Sequence, residues 1–259
     1  MGHKKPQRIV CLSAESADWL ARIDAWEQVV GVTAYFEPPW ELPRKPRIAG
    51  FSSAHLDTIV ALSPDLVIGF SDVQASIAAE LIRRGCTVFV TNQRTLAETF
   101  DALELLATVV GRSAEARPWL DQLRDGLAPI APPVRRPKVY FEEWHDPPVS
   151  CIGWISELIE LAGGEDVFAN RRGRAAASER GVTTEEIVDA APEIMIASWC
   201  GAPVDWRTVR ERSGWSTLPC VRDERLFEIP SGLILQPGYR LLDGYRRLQA
   251  IVRELPPVP

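Results

Sequence analysis

The chain has only three histidines and five cysteines in 259 residues. The cysteines (Cys11, Cys86, Cys151, Cys200, Cys220) are odd in number and nowhere spaced C-x-x-C, which argues against a disulfide framework or a zinc site. Cys11 and Cys86 stand in apolar strand contexts, where a free thiol acts as a small hydrophobe and suits a reducing compartment. No apolar run approaches the roughly 18 residues of a membrane span. There is no dense basic stripe either, and with a net charge of −6 nucleic-acid binding is disfavoured. Arg171-Arg172-Gly173-Arg174 reads as a solvated loop. The start, Met1 to Gln7, enters Ile9-Val10-Cys11-Leu12 without the apolar stretch of about 7–15 residues and the cleavage site of a signal peptide. The chain as written is therefore expected to be cytoplasmic, or periplasmic if an export signal has been removed. G-x-S-x-G, Walker and G-x-G-x-x-G patterns are missing, and neither Cys11-Leu12-Ser13 nor Trp199-Cys200-Gly201 has triad spacing. No enzyme is expected.

What is present is a repeat. Leu56 to Gly69 reads as a short helix, a proline stop and a buried strand, and Thr184 to Ala197 says the same again. Ile59 and Val60 match Ile187 and Val188, and Pro64-Asp65 matches Pro192-Glu193, each pair 128 positions apart. A constant offset is the mark of duplicated halves. The length has room for two modest domains.

Strands alternating with helices predict α/β units with a mainly parallel sheet. Arg8–Leu12 and Val29–Thr33 read as strands, with a helix from Ser13 to about Ile23 turning Trp19, Leu20 and Ile23 inward. Tyr35–Gly50, rich in proline, reads as an ordered loop. Asp72 is expected to cap a helix that Gly85 ends, and Thr87–Val90 to be a strand. Thr95-Leu96-Ala97-Glu98 is a capping box, opening a helix with Leu96, Phe100, Leu103, Ala107 and Val110 inward. Ser113 starts the next helix, and Pro129, Pro132, Pro133 and Pro137 mark a break. A strand at Lys138–Glu142, a loop at Trp144–Pro148, a helix at Ile155–Ala162 and a polar irregular stretch at Val167–Gly181 follow. A second capping box starts at Thr183, and a late strand (Arg225–Ile229) and a closing helix (Tyr239–Glu254) finish the chain. The expected domains are an N-terminal α/β lobe (1–112), a connecting helix (113–130) and a C-terminal α/β lobe (131–259), with a ligand cleft between similar lobes.

Taken in order, Arg8 to Ser13, Val30 to Thr33, Leu56 to Ile68, Pro147-Pro148, Leu161 to Phe168 and Thr184 to Ile196 resemble the periplasmic-binding-protein-like superfamily with a helical backbone. Within it the chain is most similar to the cobalamin-binding proteins of vitamin B12 ABC importers. The resemblance spans Arg8 to about Leu255 and is shared in these stretches by haem and ferric-siderophore carriers. It implies two lobes joined by one long helix, Ser113 to Leu127, with little hinge motion. It also implies that Asp57 and Glu185, each opening a repeated helix, meet arginines of an ABC permease; a two-point electrostatic dock on a rigid frame has physical sense. Either acid would in any case favour its helix N-terminus by about 0.3–1 kcal/mol. The chain departs from the importers in lacking a recognisable export signal, in carrying Asp57 for glutamate, and in having no aromatic residue from Ala175 to Gly181. An unexported corrinoid-binding relative is the expectation these departures favour.

The resemblance makes a corrinoid such as cobalamin the expected ligand, with no cofactor required, no membrane insertion and a monomeric protein. A corrin is a broad apolar disc edged with amides, so its receptor needs aromatic faces and a few polar groups. Tyr35 and Phe51 match ligand-contacting positions of the family. Ser13 stands at the carboxyl end of the first strand, the usual ligand edge. Trp144, His145 and Trp154 surround a loop facing the cleft, Trp199 and Cys200 follow the repeated strand, and Gln236 lies in the loop before the last helix. Large aromatics at strand ends also cover cores, and that alternative stands for Tyr35, Trp144, Trp154 and Trp199. Strand alternation puts Glu143 and His145 on one face. His145, with His55, could ligate the metal of a bound chelate, but one histidine per half is too few for a dedicated metal site. The alternatives are a haem or ferric-siderophore carrier, for which Arg180 and Arg240 are the few basic residues near the cleft loops, and a cytoplasmic enzyme or sensor on the same fold.

Overall fold

The computed structural model describes residues 5–129 and 135–253. The chain divides into two compact units, Met1–Gln93 with Ala97–Arg124, and Arg94–Leu96 with Asp125–Pro259. Among the described residues no helix is long and apolar enough to cross a membrane.

In the first unit, β1 (Ile9–Cys11), β2 (Val29–Thr33), β3 (Arg47–Ala49), β4 (Leu66–Phe70) and β5 (Val88–Thr91) form one sheet in the order β3-β2-β1-β4-β5. Every pairing is parallel, as helical crossovers require. The crossovers include α1 (Ala14–Arg22), α2 (Leu56–Ala61) and α3 (Ala75–Arg83). β1 and β4 are buried along their whole length, which is why they read as unbroken apolar runs. Three local expectations change. The proline-rich loop contains β3, an edge strand whose prolines stand before it rather than in it, where no ladder bond is lost. Ser71, not Asp72, caps the turn that leads into α3, its hydroxyl accepting from the Val73 amide. α1 is buried from Ala14 to Ala21, not on one face, with Trp19 Nε1 donating to the Leu103 carbonyl of α4 (Leu96–Val109) at 2.8 Å.

α5 (Ser113–Gly126) runs for 14 residues, about 21 Å, and the division of the chain falls inside it, after Arg124. Pro132, Pro133 and the boundary at 130/131 lie outside the described residues. In the second unit, β6 (Lys138–His145), β7 (Pro148–Ser150), β9 (Ile194–Ala197) and β10 (Leu226–Glu228) run in the order β10-β9-β6-β7, and β8 (Glu165–Asp166) joins the start of β6. Among the described strands of this sheet the β6–β7 pairing is antiparallel and the others are parallel. Trp144, His145 and Pro148 are thus strand residues, not loop, and the turn is Asp146-Pro147. α6 (Gly153–Leu161) and α7 (Thr184–Ala190) flank this sheet, and the closing helix is Leu241–Arg253, with Glu254 outside the described residues. Residues 94–96 belong here because the Leu96 amide donates to Glu157 of α6. The Arg94 carbonyl also passes so near Gly153 that a Cβ there would meet it at 2.4 Å.

The repeat has the same physical meaning in both units. Leu66 pairs with Ile9 and Ile194 with Val139. The residue before each proline, Ser63 and Ala191, takes φ +48°, the left-handed turn that closes a helix. The acid after the proline then clamps the start of the unit's first strand. Asp65 accepts from the amides of Gln7 and Arg8 at 2.8 and 2.9 Å, and Glu193 from that of Lys138 at 3.0 Å. The cation on that strand reaches back to the helix end. Arg8 donates to the Leu62 carbonyl and Lys138 Nζ to that of Ala190, answering carbonyls that a helix terminus leaves open. The Thr183–Glu186 capping box at the head of α7 forms in both directions.

Hydrogen bonds to charged groups contribute about 1.5–3 kcal/mol. Asp65→Ala and Glu193→Ala are each expected to lower the melting temperature by about 3–12 °C, at roughly 2–4 °C per kcal/mol for a chain of this size. Asp65→Asn, which keeps an acceptor, loses less. The two losses add, since no partner is shared. Circular-dichroism melts of the singles and the double check this.

Candidate functional site

Thr33 and Ala49 pair across β2 and β3, and Tyr35 and Phe51 lie two residues beyond each. Parallel register therefore delivers both rings to the carboxyl edge of the first sheet, 52% and 45% exposed. Arg47 pins the chain beneath Tyr35 through Nη1, which donates to the carbonyls of Thr33, Ala34 and Phe36. Ser13 is present at the same edge but buried, its Oγ 2.9 Å from Ser16 Oγ. A residue the sequence did not single out holds this edge together. Gln74, buried, donates to the carbonyls of Leu12 and Phe51 and accepts from the Phe70 amide. It fills the crevice between β1 and β4, where the strand order reverses and small ligands of open sheets commonly sit. No signal marks it, because an amide in a polar turn looks like any other. A cavity of about 600 Å³ lies beneath the proline-rich loop, lined by Trp26, Phe36, Leu42 and Lys45 among others, but both aromatic walls are already buried.

Glu15, in the first turn of α1, is buried and its Oε1 has no partner among the described residues. Burial pushes its carboxyl up to about 7, against a lowering hydrogen bond from Ser13. Burial likewise lifts the Cys11 and Cys220 thiols to about 12 and that of Cys200 upward. None of the three is a thiolate nucleophile at neutral pH.

In the second unit the carboxyl end of β6 presents Trp144, 36% exposed, and half-buried His145. Their ring centroids lie 4.7 Å apart, and His145 stacks on Trp199 at 4.1 Å. Trp199 is 4% exposed, and its indole donates to Glu142 Oε1 at 2.9 Å. Glu142, itself fully buried, also accepts from Tyr140 and takes a bidentate guanidinium from Arg212 at 2.5 and 3.0 Å. A buried carboxylate so satisfied fixes its donors in place. Tyr140 is held protonated well above the usual phenol range by burial and by the Glu142 charge. The expected alternation fails here. A register shift between Glu142 and Trp144 inserts a bulge, so Glu142 and His145 meet at Trp199 while Glu143 turns to Arg180. Bulges re-aim side chains in this way.

Of two other expected contacts, one is core and one is half-buried. Trp154 is 2% exposed and its indole donates to the Ile234 carbonyl at 2.9 Å, because Gly153–Leu161 packs as a buried helix. Gln236 is half-buried behind a short helix, Ser231–Ile234, where an open loop was expected. Arg180, read as a basic group for an anionic ligand, is buried against Glu143 and the Ser150 carbonyl. Asp57 is exposed and paired with Arg84 at 2.5 Å. Glu185 is exposed, its carboxyl lowered by its own amide and Thr183. His55 precedes α2 and is exposed. Among the described residues no three His, Cys, Asp or Glu side chains cluster as metal ligands.

The chain thus has two α/β units, each with a mainly parallel sheet and exposed aromatic residues at its carboxyl edge. The family described as periplasmic binding protein matches residues 9–233, and the chain belongs to it. It is 23% identical over 258 residues to an uncharacterized ABC transporter substrate-binding lipoprotein, YvrC, of Bacillus subtilis, covering 95% of this chain and 79% of that one. It is 21% identical to the vitamin B12-binding protein of Vibrio parahaemolyticus, covering 94% and 88%. In fold it matches the periplasmic heme-binding protein RhuT of Roseiflexus with a TM-score of 0.80 at 18% identity, over 95% and 97% of the two chains.

Folded Glu15 keeps its proton to about pH 7, whereas the unfolded carboxyl releases it near 4.5. Stability is therefore full below about pH 4.5 and falls as pH rises to about 7, by about 3 kcal/mol in all. Glu15→Gln is expected to match the wild type at pH 4.5 and to exceed it in urea midpoint at pH 8.

Proposed function

We propose that the chain is the substrate-binding component of an ABC importer and that its cargo is a corrinoid such as cobalamin. The observation that carries the cargo is the pairing of exposed aromatic faces with arginines already committed to the protein. Tyr35, Phe51 and Trp144 are open, while Arg180 and Arg212 beside Trp144 are held by carboxylates, and Arg240 is engaged as well. A disc edged with neutral amides suits such surfaces; an anionic siderophore or the propionates of haem ask for cations with donors to spare. The relatives named as vitamin B12-binding and as ABC transporter substrate-binding support the same reading. Tyr35, Phe51, Trp144 and His145 are the ligand contacts in this reading. Asp57 and Glu185 are the permease contacts, and the binding protein acts as a monomer outside the cytoplasmic membrane.

Calorimetric titration with cyanocobalamin, cobinamide, haemin and a ferric hydroxamate is expected to give heat with the two corrinoids alone. Binding of haemin with neither corrinoid would overturn the cargo. Trp144→Ala and Tyr35→Ala are each expected to weaken cyanocobalamin about tenfold, close to 1.4 kcal/mol.

Asp57→Ala with Glu185→Ala is expected to leave that affinity unchanged and to abolish uptake by cells that depend on the importer. Lost binding would put the acids in the ligand site. Recovery of the protein in the cytoplasmic fraction of its native cells would replace the importer role with that of an intracellular corrinoid carrier.

A further inference from the structure

We infer that His145 meets its ligand as an Nε2–H hydrogen-bond donor and not as a metal ligand, and so selects cargo with a carbonyl acceptor at its rim. The ring lies against Trp144 and is stacked on Trp199 with planes 28° apart. Trp199 is fixed in turn by Glu142, and Glu142 by Arg212 and Tyr140. Arg212 also lies 4.4 Å over the Trp215 ring and donates to the His145 carbonyl. The imidazole is thus packed between two indoles, one of them anchored from below.

In that position the two ring nitrogens differ. Nδ1 is closed off from solvent and has no hydrogen-bond partner among the described residues, and Nε2 is not buried with it. Neutral imidazole carries a single N–H, on one nitrogen or the other. Placing it on Nδ1 would bury a donor with no partner, which is costly, whereas an under-satisfied acceptor is better tolerated. The proton accordingly sits on Nε2. Coordination of cobalt or iron through Nε2 needs the lone pair there, which sends the proton to Nδ1. Metal-ligating histidines almost always give that second N–H to a carboxylate, a carbonyl or a water, and His145 offers it none of the first two. A carboxamide or carboxylate oxygen on the ligand, by contrast, finds the Nε2–H ready. The tautomer is a property of the protein; the corrinoid as cargo rests on the reading proposed above.

Two-bond ¹H–¹⁵N correlation of the histidine-labelled, ligand-free protein, with His145→Ala to assign the signal, is expected to show the Nε2–H pattern. An Nδ1–H pattern overturns the inference whatever the cargo. With aquacobinamide, wild type and His145→Ala are expected to give the same visible band. A wild-type shift toward the imidazole-bound spectrum, lost in the variant, overturns it too. His145→Ala is expected to weaken cyanocobalamin five- to tenfold and His145→Gln, which restores a donor, to recover most of this; unchanged affinity in the alanine variant removes the role in selection. Should no corrinoid bind, the corrinoid reading falls alone and the resonance pattern still decides the tautomer.

Discussion

A carboxylate one residue past a proline clamps the backbone that starts each sheet. Asp65 holds the amides of Gln7 and Arg8, and Glu193 that of Lys138. The rest of each unit follows from this. Proline ends the helix because it has no amide and cannot continue it; the left-handed residue before it, Ser63 or Ala191, turns the chain; the acid then sets the register of the repeated strand on the first. Neither left-handed position is glycine, so each carries the strain of a side chain in that region, and the clamp offsets it. With register set, the carboxyl ends of the strands fall at one edge, and the side chains just beyond them form the exposed surface of that edge.

That surface is built differently in the two units. In the first, Gln74 closes the crevice from below with three hydrogen bonds, leaving Tyr35 and Phe51 as the open faces. In the second, the polar foundation is ionic. Glu142 lies fully buried with four donors to its two oxygens, and a bare carboxylate there would be unaffordable without them. Its purpose on this geometry is to hold Trp199 flat beneath His145. A stacked ring with one nitrogen sealed and the other free is, on the inference above, a directional donor.

Much of the scaffold was legible beforehand. The 128-residue offset, the capping box at Thr183, the stop at Gly85 and the buried runs of β1 and β4 are all local patterns, and local patterns survive folding. Exposure at the strand ends was legible in part. Tyr35, Phe51 and Trp144 stand exposed at strand ends. Trp154 did not follow: the same residue type near the same loop is consumed by the core, since burial depends on what packs against it. The alternation of Glu143 with His145 was lost to a bulge, which periodicity cannot anticipate.

The sequence by itself determined the α/β class, the duplication and which residues could serve as aromatic faces, because helix stops, caps and apolar periods act within a few residues. Only the tertiary structure decided which of those faces stay open and which polar groups are spent. Arg212 reaches Glu142 from 70 positions away, and Arg180 reaches Glu143 from 37. No short-range pattern records such a pairing. Charge and shape at a binding surface are settled by what remains after partners distant in the chain have satisfied one another.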